Sequence, residues 1–152
     1  MAKATPKVQQ VEARAVSATQ ITIGHQYRIG ADTLVQVHGF GHIAETDDLC
    51  VVIGIESPHG VSNLAFTAEN LDMRIDSTTK NLKGVYRIRS SGFDDMASEV
   101  EMLLAFYLGM QQLLLAAASV REVDLKYQVT PDLLTRPLGN PVKNGQPLVL
   151  SA

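Results

Sequence analysis

Residues 49–55 read Leu49-Cys50-Val51-Val52-Ile53-Gly54-Ile55, apolar on both parities until Glu56. Strand side chains alternate between two faces, so an unbroken apolar run predicts a central strand covered on both sides. Upstream, Ile21, Ile23, Tyr27 and Ile29 share one parity, broken by His25, and Gly24 marks a bulge or turn. Leu34 to Val37 reads as a second strand, and Gly39-Phe40-Gly41 is expected to interrupt it. Downstream, Ser57-Pro58-His59-Gly60 is a turn, and Leu64-Ala65-Phe66, Leu71 to Ile75 and Val85 to Arg89 read as further short strands. Five or six such strands predict a small antiparallel β-barrel or sandwich of SH3-like size over residues 19–90, in an α+β chain.

The next segment is helical. Asp94, Asp95, Glu99 and Glu101 load its start with negative charge, which suits the positive end of a helix dipole. From Met102 to Val120 no residue is charged. Phe93, Met96, Val100, Leu103, Tyr107, Met110, Leu114 and Ala117 step by threes and fours, an uninterrupted heptad seam. The run is long enough for a membrane span, but Gln111-Gln112 at its centre would be costly in lipid, so a protein-buried helix over 91–120 is expected. A helix apolar nearly all round must be buried, and one small β domain hides one side. Self-association through this seam is therefore expected.

The ends read differently. Residues 1–18 carry only Val8, Val11 and Val16 as larger apolar positions, too thin for a core element, and are read as an N-terminal arm. Met1 to Gln10 lack the apolar core of a secretory signal, so cytoplasmic synthesis is expected. Residues 121–152 hold Pro131, Pro137, Pro141 and Pro147, which exclude a long helix, together with Leu133, Leu134, Leu138, Val142 and Leu148 to Leu150. This reads as an extended C-terminal arm that docks on another surface or folds back on its own domain.

The chain has 152 residues, a net charge of −3 and one cysteine. That excludes a (β/α)₈ barrel, an intramolecular disulfide framework and a strongly basic nucleic-acid binder. His38 and His42 flank Gly39-Phe40-Gly41, with Glu45, Asp47 and Asp48 following. On a straight strand the two histidines would stand about 13 Å apart, so a polar turn is the better reading and no metal is expected. Gly39-Phe40-Gly41 lacks the third glycine of a dinucleotide fingerprint, and no Gly-Lys-Ser/Thr phosphate loop occurs. Cys50 sits among apolar neighbours that leave a thiol inert, and His59 reads as a turn residue. No nucleophile and base are paired by any motif, so neither a catalytic site nor a cofactor is expected.

Charge is patterned locally. Between Asp72 and Arg89 five basic residues face two acidic ones, and Arg74, Lys83, Arg87 and Arg89 form a candidate basic face, with Arg87 and Arg89 on one side of a strand. Aromatic content of 5% and the absence of Trp supply a poor stacking platform for single strands. The sequence thus points to a non-enzymatic structural or interaction protein that forms homo-oligomers through its helix and arms. A virus or phage head, tail or decoration subunit is the concrete version, in the cytoplasm or the virion, with no membrane partner. The alternative is a small β-barrel module that meets nucleic acid or a protein through the basic strand face.

Overall fold

A computed structural model describes residues 21–29, 32–89, 94–138 and 148–149. In chain order the elements are β1 (Gln26–Ile29), β2 (Thr33–Ile43), β3 (Leu49–Ser57), β4 (Gly60–Thr67), α1 (Ala68–Arg89), α2 (Asp94–Ala118), β5 (Leu125–Val129), α3 (Pro131–Leu134) and β6 (Leu148–Val149). The fold is mixed α+β, built on one six-stranded sheet in the order β4-β3-β2-β1-β6, with β5 also on β2. Strands β1 to β4 are antiparallel to their neighbours, whereas β5 and β6 join β2 and β1 in parallel. The central place of β3, between β2 and β4, is the one its apolar run predicts.

The expected barrel does not form. The sheet stays open because β4 passes straight into a helix, and the stretches Leu71–Ile75 and Val85–Arg89, expected as strands, belong to α1. Two-residue alternation was coincidental there: Met73 is 58% exposed, while Leu71, Thr78 and Val85 are buried. Leu71, Ile75, Thr78, Leu82 and Val85 follow a helical stripe of fours and threes instead. Thr67 Oγ1 caps this helix by accepting from the Asn70 amide. Lys80 and Asp76 pair one turn apart at 3.2 Å.

Helix α2 lies where the heptad pattern puts it, but its surroundings differ from expectation. Met102, Phe106, Met110 and Leu114 pack on Tyr27, Val35, Val37, Val51, Ile53 and Phe66 of the sheet. Phe106 meets Tyr27, and Tyr107 meets Phe66, with ring centroids 5.9 and 6.0 Å apart. Helix α1 packs along another side of α2, and Gln111 Nε2 donates to Asp72 Oδ1 at 2.5 Å across that contact. The glutamine in the middle of the apolar run is thus satisfied by a partner helix of the same chain. Residues Glu99–Ala118 are long and apolar enough to cross a membrane, and in this fold they form the core helix.

The second face of the sheet is covered by the segment expected as an extended arm. Val129 and Leu133 are buried against Cys50 and Val52, with Ile43, Ala65, Tyr127, Leu134 and Leu138 packed around them. Thr130 caps α3, with Pro131 at its first turn, so the prolines shape this segment without unfolding it. Buried Asn63 on β4 donates from Nδ2 to the carbonyl of Leu133 at 3.0 Å and also to the carbonyl of Arg136. Residues 129–138 therefore fold back on their own domain, and β6 pairs with β1 of the same chain. The proposed N-terminal arm, 1–18, lies outside the described residues.

Gly39-Phe40-Gly41 does not interrupt β2, which runs through all three residues with a bulge between Val37 and Gly39. Strand β5 approaches so closely that a Cβ on Gly41 would lie 2.4 Å from the Tyr127 carbonyl oxygen. Only glycine lets the two backbones meet there.

Candidate functional site

Strand β4 is one margin of the sheet. It pairs with β3 over its whole length, from Ser57↔Gly60 to Cys50↔Thr67, without a shift in register. No strand lies on its other side among the described residues. A strand directs alternate N–H and C=O groups away from each neighbour, so the outer margin of β4 presents a row of backbone donors and acceptors.

Sheet edges are normally blunted by shortness, charge, proline or a bulge. Gly60–Thr67 spans eight residues and reads GVSNLAFT, with no charged residue, no proline and no bulge. The other margins differ. At the far end of the sheet β6 has two residues, and β5 has five and carries Lys126. The open half of β4 is also apolar, with Val61 64% and Leu64 36% exposed. Alternation places Asn63 and Ala65 on the second face and Phe66 on the helix face. Asn63 and Phe66 anchor the strand at its two faces, while among the described residues no strand pairs with its outer margin.

The residues singled out in the sequence fall elsewhere. Met110, Leu114 and Ala117 of the heptad seam are buried, and Val100, Leu103 and Tyr107 are half-buried. Met96 lies on α2 with its side chain outside the described residues, and Phe93 lies outside them altogether. Burial pushes the Tyr107 phenol up, and the Arg74 guanidinium partly offsets this. Of the seam, Tyr107, Met110 and Leu114 pack in the core that the sheet shares with Leu71 of α1.

The basic residues do not make a strand face. Arg74, Lys83, Arg87 and Arg89 all lie on α1. The strand face expected for Arg87 and Arg89 does not exist because their stretch is helical, whereas Lys83 and Arg87 are neighbours one turn apart. Arg74 lies nine positions from Lys83, about half a revolution round the helix.

His42 and its acidic followers close the β2–β3 turn. His42 Nδ1 lies 2.8 Å from Asp47 Oδ1, the Asp47 amide donates to the Ile43 carbonyl at 2.7 Å, and Asp47 takes φ 64°. His38, at the bulge, leans over Gly54, where a Cβ would come 2.7 Å from Nε2, and meets Tyr127 edge-on at 6.4 Å. Burial lowers its pKa. Cys50 is fully buried, and desolvation raises its thiol to about 11, with Asp48 adding to the rise and a hydrogen bond to Gly41 opposing it. The thiolate is scarce at neutral pH. Among the described residues no three metal-ligating side chains converge.

No family model, no curated protein and no solved structure matches the chain.

Proposed function

We propose that this chain is a non-enzymatic structural subunit that self-associates, and that β4 is the strand through which copies join. The single observation carrying this reading is the uncharged, unbulged and apolar outer margin of β4. Two copies related by a twofold axis place this strand antiparallel to itself. The outward amides and carbonyls of one copy then pair with those of the other, and the sheet continues through the interface. Antiparallel self-pairing sets each residue against one from the other half of the strand, and a strand without charge carries no like-charge repulsion into that arrangement. Val61 and Leu64 gain cross-strand neighbours.

Each new backbone hydrogen bond contributes about 0.5–1.5 kcal/mol net, against an association cost of roughly 4–15 kcal/mol. One edge pair is therefore a weak joint, effective at high local concentration or when repeated in an assembly. A virus or phage particle component is the concrete version of such a subunit. Its support is an analogy of architecture alone.

The test is sedimentation equilibrium of the whole chain from micromolar to sub-millimolar concentration. A reversible rise in mass is expected. A monomer across that range, with helix content retained, overturns the reading.

A further inference from the structure

Away from the β4 residues, two of the exposed large apolar side chains line one concavity: Ile23, 37% exposed, and Val120, 54% exposed. Phe40, Val123 and Ala117 complete an open groove of about 310 Å³. That is the lower end of ligand-pocket volumes, about 300–1,000 Å³, and suits one or two side chains better than a whole cofactor. Scattered apolar residues at a surface are ordinary, but a cluster rimming a concavity marks a contact site.

The groove lies at the C-terminal end of α2, a helix of 25 residues with no basic residue in its last turn. Its final carbonyls therefore leave partial negative charge at this end. Glu122 and Asp124 line the groove as well, and among the described residues neither carboxylate has an ion-pair partner. Lys126 is the one cation in the lining, its stem 3.8 Å from the Cβ position of Gly39. The balance is an apolar floor with a predominantly acidic rim.

We infer that this groove receives an extended peptide segment in which a bulky apolar side chain adjoins a lysine or arginine. The apolar side chain enters between Val120, Phe40 and Ile23, and the adjoining cation meets Glu122, Asp124 and the end of α2. An acyl chain with an anionic headgroup meets the same floor but the wrong rim. This surface is separate from the β4 margin, so peptide capture does not depend on self-association.

The test titrates fluorescein-labelled peptides into the full chain and reads anisotropy, with amide chemical-shift changes locating the site. The probes are a flexible peptide centred on Leu-Lys-Leu, its Leu-Glu-Leu counterpart, and a medium-chain fatty acid as competitor. The Leu-Lys-Leu peptide is expected to bind saturably and to shift residues 39–40 and 120–126. Glu122→Gln with Asp124→Asn is expected to weaken it about threefold to tenfold and flatten its salt dependence. Val120→Glu, at an exposed position that leaves the fold intact, is expected to abolish binding. Equal affinity for the acidic peptide, displacement by the fatty acid at comparable concentration, shifts located elsewhere, or no binding of the basic peptide would each overturn the inference.

Discussion

Val61→Lys tests the β4 joint most directly. Val61 is 64% exposed on the open half of the strand, so the substitution leaves the packing of the isolated chain almost untouched. Full burial of a valine side chain contributes about 1.5–3 kcal/mol, so about 1–2 kcal/mol remains to be gained at this position. A twofold joint contains the residue twice, which makes the loss about 2–4 kcal/mol per pair of copies. Since 1.4 kcal/mol is a factor of ten, the dimer Kd should rise about thirtyfold to thousandfold. Sedimentation equilibrium measures this directly, with circular dichroism confirming unchanged helix content. Met73→Lys is the control, because Met73 is equally open but stands on α1. If Val61→Lys associates like the parent chain, or Met73→Lys weakens association as much, the edge is not the joint.

Three further outcomes follow from the packing. Gly41→Ala sets a Cβ against the Tyr127 carbonyl, so backbone must move, and a loss of about 1–3 kcal/mol should lower the Tm by several degrees in a thermal melt. Asn63→Ala leaves the Leu133 and Arg136 carbonyls without their amide donor, at about 1–3 kcal/mol, and hydrogen exchange should show faster exchange confined first to residues 129–138. The lowered pKa of His38 means that the unfolded chain takes up its proton first. Stability from this group is full above 6.5 and is lost as the pH falls below it toward the folded pKa. Denaturant midpoints between pH 7 and pH 5 should fall less in His38→Leu than in the parent chain, and equal slopes would exclude His38 as the source.

What was legible in the sequence was local. Leu49 to Ile55 announced a strand covered on both faces, and its own buried residues, Val51 and Ile53 in one core and Cys50 and Val52 in the other, follow strict alternation. The heptad run placed α2 to within a few residues. Helix α1 escaped because Thr78 occupies a buried place in its stripe and Met73 an exposed one, so polarity and burial disagree at both positions. The need for glycine at 41 depends on Tyr127, which is remote in the chain, and no reading of neighbouring residues reveals it. The β4 margin was hidden for a similar reason. Leu64 to Phe66 could be read as strand, but edge status belongs to the order of strands in the sheet. The groove draws on β2, the turn before β1 and the segment after α2, so its lining converges only after folding.

The parallel pairing of β5 with β2 imposes an order on assembly of the molecule. Strands β2, β3 and β4 are joined by short turns and close small loops, and α1 and α2 are adjacent in the chain. By contrast, Phe40 meets Leu125 only after both helices have been laid down between them, and such non-local closure carries the larger entropic cost. On a chain emerging from the ribosome, the helix-side layer can consolidate while Cys50 and Val52 still face water. The thiol becomes shielded when Val129 and Leu133 dock on it, so its accessibility to a thiol reagent during refolding would report that docking step.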